Sequence, residues 1–337
     1  MKLVSYLILG IWALVCAFPL YWVAVTSLKG EFEIVHGPFY LPFVDFSPSL
    51  GAWEFVVSDP QESLILQFFN SVVVATSAAA LTVLLGGMVV YGLTRFPSVP
   101  ARTVAALPLA GAAVVGALLS SITMLALAAF AVAILLVAKP FRPRNLPLPK
   151  NAILFAIIAT RILPPVIVVL PIYEMARRTG LLDTRTLLIL VYAASNLPVA
   201  VWLLRPVFGE AATDQEEAAQ LDGASQLRIF STILVPMTAG RIAAVGLLIF
   251  VLSWNEYLFA VYLAASHAMT LPPWVVGQMS IREAQAGGDI VEWSRLSAAI
   301  IIMFAPLLLF TVAALRLVGR VGTGLADQRR IDVRTGA

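Results

Sequence analysis

Glu216, Glu217 and Asp222 bring carboxylates into an otherwise oily chain, in the stretch QEEAAQLDGASQLRIFSTILVP at 215–236. Their spacing suits a helix start and a docking surface rather than a catalytic centre. No P-loop pattern of the type GxxxxGK[ST] occurs anywhere, so the chain does not hydrolyse ATP itself. The single cysteine, Cys16, lies in an apolar run, and the two histidines, His36 and His267, stand far apart. No metal site, cofactor or internal disulfide is expected from that set. Two further charges, Arg161 and Glu256, fall inside apolar runs, where charge is costly and marks function by default.

The polar stretch reads as helix, glycine, helix. Thr213 is placed as an N-cap with Glu216 reaching back from N3, a capping box, and Asp214, Glu216 and Glu217 suit the positive end of the helix dipole. Ala218, Ala219, Gln220 and Leu221 continue the helix, and Gly223 is positioned as the C′ residue that turns the chain. A second helix, about 224–234, is expected to end or kink at Pro236. A first helix of about two turns is marginal alone in water and needs a surface to pack on. That surface is either a soluble partner, gripped through the small residues Ala218 and Ala219, or the chain's own membrane domain.

The elements that carry this stretch are membrane spans. Of the 337 residues, 60% are hydrophobic and 12% charged, against roughly 25% charged in a soluble domain. Mean hydropathy is +0.93. With about 20 apolar residues needed per crossing, six stretches qualify: 4–27, 67–94, 151–173, 186–205, 241–263 and 296–318. The first is too long for a signal-peptide core and lacks a cleavage pattern, so it is read as a span. A seventh region, 103–138, is flanked by Arg95 and Arg102 on one side and Lys139, Arg142, Arg144 and Lys150 on the other. Two basic flanks imply an even number of crossings, hence a hairpin turning near Ser120–Ser121 and eight spans in all. One long tilted helix is the rival. A stiff, basic, proline-rich linker, KPFRPRNLPLPK at 139–150, follows it and could touch anionic lipid headgroups. Lys and Arg counts favour cytoplasmic N- and C-termini and a cytoplasmic 206–240 loop, although Arg177, Arg178 and Arg185 then fall outside. No long basic run suggests nucleic acid.

The loop also resembles the signature of ABC importer permeases: E-A-A, three residues, G, nine residues, I-x-L-P. Glu217-Ala218-Ala219, Gly223 and Ile233-Leu234-Val235-Pro236 keep that spacing, with Val235 in place of the usual leucine. FPLYWVAVTSLKG at 18–30, FFNSVVVA at 68–75, TRILPPVIVVLPIYEMARRTGLLDT at 160–184, NLPVAVWLL at 196–204 and WNEYLFAVYL at 254–263 are similar to the carbohydrate branch, of the maltose-importer second-permease type. The resemblance implies an all-α polytopic bundle with a six-helix core: 1–100 holding the first two spans and an external loop, 101–150 an inserted hairpin and linker, and 151–337 the core permease domain. It implies a non-catalytic inner- or plasma-membrane subunit that pairs with a second permease, two cytoplasmic ATP-binding subunits and an extracytoplasmic solute-binding protein. By the same resemblance Glu216, Glu217, Ala218, Ala219, Leu221, Asp222, Gly223 and Pro236 form the ATPase-coupling element. The insert departs from the usual six-span plan.

Candidate pathway residues are Trp254, Asn255, Glu256, Tyr257, Asn70 and Asn196, aromatics and amides of the kind that bind sugar, although each type also serves as interface anchor or helix–helix hydrogen bond. Arg161 and Glu256, about 15 and 22 Å deep at about 1.5 Å per residue, are expected to share an ion pair or polar network. Pro164, Pro165 and Pro171 are expected to kink their span and free carbonyls beside a pathway. A secondary transporter would need more membrane acids than this chain has. A non-transporting assembly protein is the other alternative. Which sugar or polyol is carried is not legible in the sequence.

Overall fold

The computed structural model describes residues 2–36, 40–58, 64–95, 150–209, 213–277 and 293–312. The inserted hairpin and its linker, and with them the eight-span count, lie outside the described residues. The described chain is helical, apart from one isolated bridge between Pro42 and Phe46. It forms two compact units, Met1–Val72 with Met269–Val312, and Val73–Ala268.

The first unit begins with α1, Lys2–Thr26. Its run of Leu, Ile, Val and aromatic residues has no polar face, and none of its most apolar window is buried within the chain. Such a surface has to be covered by lipid or by another subunit. Two short helices follow, α2 (Glu31–His36) and α3 (Gly51–Ser58). Between them the Asp45 carboxylate accepts the backbone N–H groups of Tyr40 and Leu41, both at 2.9 Å, and closes a turn in which Phe43 takes φ 66°. The Trp53 indole donates to Ser27 Oγ at 3.3 Å, tying α3 to the end of α1.

The second unit is built on α4 (Leu64–Arg95), which starts in the first unit, and on α5 (Lys150–Ala159), α6 (Pro165–Thr179), α7 (Arg185–Gly209), α8 (Thr213–Leu221), α9 (Gln226–Ile229), α10 (Val235–Trp254) and α11 (Leu258–Leu263). Its core interleaves Val74 and Ala78 of α4, Val169 and Ala176 of α6, Leu188, Val191 and Tyr192 of α7, and Phe259 and Leu263 of α11. A Cβ built on Gly86 would meet Ala200 Cβ at 3.1 Å, so a bare glycine lets α4 and α7 approach closely. The last span, α12, is Trp293–Val312 of the first unit.

Among the described residues, five helices are long and apolar enough to cross a membrane, six if one bent pair is counted as a span. Each of the six expected stretches overlaps one of these helices or the bent pair. Two departures have clear causes. The stretch 151–173 is broken rather than kinked: Ile153–Ile162 and Pro165–Thr179 meet at 89°. Leu163 is extended, as a residue before proline prefers, and Pro164 and Pro165 sit at the N-cap and first position of α6. The stretch 241–263 begins earlier and stops earlier. Gln226–Trp254 is one helix of 29 residues, and the chain then breaks at 255–257 before α11. Pro236 therefore neither ends nor separates the loop's second helix from the span. A π turn at Phe230–Leu234, in which Val235 N–H reaches Phe230 C=O, brings the helix up to a proline that has no N–H to give.

Asp183 went unnoticed in the sequence. It has φ 58°, and its carboxylate accepts Ala265 N–H (2.8 Å), His267 N–H (3.0 Å), Ala268 N–H (2.9 Å) and the Ser266 hydroxyl. Its own N–H donates to Leu263 C=O at 2.9 Å. Burial works against its charge, but these donors outweigh burial and hold the carboxyl below its ordinary range. One side chain thereby clamps the turn before α7 to the loop after α11.

Candidate functional site

The helix–glycine–helix element is present and closes as its sequence suggests. Gly223 has φ 81°; Ala224 N–H donates to Ala219 C=O at 2.9 Å and Gly223 N–H to Gln220 C=O at 3.0 Å. This is a Schellman-type end that a residue with a Cβ would strain. Ser225 then caps α9, its hydroxyl accepting from Arg228 N–H.

The Thr213 side chain, one half of the expected capping box, lies outside the described residues; the other half, Glu216, has a distant partner. Glu216 is buried, 2% exposed, and its carboxylate is bound by Arg95. Arg95 Nε donates to Oε2 and Nη2 to Oε1, both at 2.7 Å, while Nη2 also donates to Phe208 C=O at 3.0 Å. Two charge-assisted bonds in fork geometry make this a strong contact. The last residue of α4 thus holds α8. The Tyr91 hydroxyl, one turn earlier on α4, donates to Gln226 Oε1 at 2.7 Å. Beneath the loop Phe230 meets Tyr91 and Phe208, with ring centroids 5.3 and 6.2 Å apart.

The loop therefore has two faces. Glu216, Ile229 and Phe230 are buried. Glu217, Ala218, Asp222 and Gly223 are exposed, as is Leu221, whose side chain stands 90% exposed, and Ala219 is half-buried. An apolar residue held out at the tip of a polar, capped helix is a surface made for contact.

The intramembrane candidates are distributed differently. Arg161 Nη1 donates to Ser195 C=O at 2.7 Å, and both residues line a cavity of about 530 Å³ between α6 and α7. Glu256 Oε1 accepts Phe259 N–H at 3.2 Å and caps α11. The two are not paired with each other among the described residues; each bonds a backbone group instead. Trp254 is buried in the core. Asn196 Nδ2 donates to Ser253 Oγ at 3.2 Å, joining α7 to α10. Asn70, fully buried, donates to Met269 C=O at 2.9 Å, and Ser71 Oγ accepts Leu271 N–H at 2.7 Å. Asn255 and Tyr257 are exposed at the break after α10, with Glu256 half-buried between them.

No group of three or more His, Cys, Asp or Glu among the described residues is arranged to hold a metal.

This arrangement, apolar spans carrying a glycine-ended polar loop, agrees with sequence comparison. The chain is 28% identical to the diacetylchitobiose uptake system permease protein of Streptomyces coelicolor, over 95% of this chain and 87% of that protein. It is 27% identical to the sulfoquinovosyl glycerol transport system permease protein of Agrobacterium fabrum, over 88% and 83% respectively. To the trehalose/maltose transport system permease protein of Thermococcus litoralis it is 24% identical, over 89% and 87%. All three are named as permease proteins of an uptake or transport system. With the family model for the binding-protein-dependent transport system inner membrane component matching residues 117–321, the chain belongs to that family.

Proposed function

We propose that this chain is one of two permease subunits of an ATP-driven, binding-protein-dependent importer for a sugar or related polyol. It forms half of the translocation pathway and carries ATPase motion into it. The two-faced loop is the observation that supports this reading: Leu221, Glu217 and Ala218 outward, Glu216 locked inward on Arg95. The outward face enters a groove on a cytoplasmic ATP-binding subunit. A push on α8 reaches α4 through the Arg95–Glu216 pair and α10 through the unbroken helix from Gln226. The first route is a direct ion pair and the second a turn closed by backbone hydrogen bonds, so closure of the ATP-binding subunits rocks the spans. The N- and C-termini are cytoplasmic in this reading, and the loops on the other side meet the solute-binding protein. Asn255, Glu256 and Tyr257, at the break after α10, face the pathway; Trp254, Asn70 and Asn196 support it by packing and hydrogen bonds. The sugar class follows the relatives, whose names cover diacetylchitobiose, trehalose/maltose and sulfoquinovosyl glycerol.

The test is co-purification of ATP-binding subunits with this chain. Glu217→Lys and Gly223→Pro should abolish it while leaving the permease in the membrane. Labelling of a cysteine at position 220 from the extracytoplasmic side only would refute the topology.

A further inference from the structure

The first unit holds a second cavity that the coupling mechanism does not use. It measures about 400 Å³, at the lower end of small-ligand sites at about 300–1,000 Å³. It lies where the end of α1 and the start of α12 come together. Trp22 and Trp293 line it, 36% and 47% exposed, so both indoles present part of their surface. The polar groups between them are Thr26, Lys29, Glu33 and Ser297. Thr26 and Ser297 are 6% exposed, and Thr26 Oγ1 has no hydrogen-bond partner among the described residues. A buried hydroxyl left unsatisfied is destabilising unless something bonds it. The Lys29 ammonium lies 4.5 Å from the Trp22 ring centroid, 4% exposed, which fixes that indole from one side. Glu33 is folded over Gly30, where an added Cβ would meet its Oε2 at 2.7 Å.

Indoles at a membrane rim ordinarily anchor the helix in the headgroup layer. An anchor does not require a buried, unpartnered threonine hydroxyl or a second buried hydroxyl in the same cavity. Flat aromatic surface for the C–H face of a ring, with hydroxyls, an ammonium and a carboxylate around it for its O–H groups, is the chemistry of saccharide recognition.

We propose that this cavity binds a saccharide, as a subsite separate from the break at 255–257. The proposal rests on the reading of the chain as a sugar importer; with the N-terminus cytoplasmic, the cavity opens on the face from which cargo arrives. The experiment uses the complete transporter in lipid nanodiscs, without ATP or binding protein, titrated with a panel of mono- and disaccharides and followed by tryptophan fluorescence. Uptake into vesicles is measured in parallel. Saturable quenching is expected for at least one saccharide. Thr26→Val is isosteric and removes only the hydroxyl, so it should weaken binding about fivefold, and Trp293→Ala should remove the response. Gly30→Ala, which displaces Glu33, should weaken it as well. Uptake of a sugar with no saccharide response, or a response indifferent to Thr26→Val and Trp293→Ala, would overturn the subsite and leave the importer reading standing. Absence of both uptake and binding for every saccharide would remove the sugar reading itself, and the subsite with it.

Discussion

Replacing Glu216 by alanine leaves the Arg95 guanidinium without the carboxylate that binds it through two 2.7 Å hydrogen bonds. The side chains are 16% and 3% exposed, so the lost contact is largely shielded from water. Breaking a buried pair by removing one partner costs about 3–5 kcal/mol. Arg95 retains the Phe208 carbonyl and a little solvent, which puts the cost near the lower end, about 3 kcal/mol. That cost falls on the docking of α8 against α4. At about 1.4 kcal/mol per tenfold, local opening of the loop should become roughly a hundred times more frequent. Amide hydrogen exchange reads this directly: protection of 216–222 should fall by about that factor in the purified permease, with the core of α7 unaffected. In the assembled transporter, cargo-stimulated ATP hydrolysis should drop more than basal hydrolysis, because the ATP-binding subunits still turn over but grip a loose handle. Replacing both partners by apolar residues, Arg95→Met with Glu216→Leu, should recover much of the protection. If Glu216→Ala leaves exchange over 216–222 unchanged, the pair is not what holds the loop, and the route of force through α4 is wrong.

Leu221→Glu should change permease stability by less than about 0.5 kcal/mol, since the side chain touches little, yet should abolish co-purification of the ATP-binding subunit. Gly223→Ala should cost about 1–2 kcal/mol in thermal unfolding; nothing lies within 4 Å of the added Cβ, so the cost is purely that of φ 81°, and Gly223→Asn should cost less. Asp183→Asn should cost about 2–3 kcal/mol at neutral pH. Because the native carboxyl titrates below its unfolded value of about 3.9, the wild-type contribution is fully present above that pH and is lost as pH falls through the native value; unfolding measured from about pH 5 to 2 should show that decline below about 3.9 in the wild type and a shallower one in the variant. Asn196→Leu should destabilise by about 1–3 kcal/mol, because Ser253 Oγ is left buried without its donor.

Long apolar runs made the spans legible, since a bilayer sets their length. The ends of the loop helix were legible too, because Gly223 and the acidic start are local signals. What the sequence could not show was non-local. Glu216 reads as a helix-start acid, and its partner Arg95 is 121 residues away. Trp254 looked like a platform because an indole at a span end reads the same whether it faces a pathway or the core. Pro236 looked like a terminator because a π turn leaves no mark in composition. Pro164 and Pro165 announced a kink, but the 89° break follows a 3-10 turn at Thr160–Ile162 and an extended Leu163 just ahead of them. Asp183 gave no signal at all, since its ligands are backbone groups about 80 residues distant.

The π turn ahead of Pro236 makes chain length between Ser225 and that proline a matter of rotation. From Gln226 to Trp254 the backbone is a single rod about 43 Å long at about 1.5 Å per residue. Its one wide turn holds a residue that an ordinary helix would not need. Removing that residue would tighten the turn and swing everything before it by about 100° about the rod axis. Tyr91 would then no longer find Gln226, and the handle would point elsewhere while the membrane segment stayed where it was. Substitutions in FSTIL should accordingly be forgiven more readily than a single-residue deletion there.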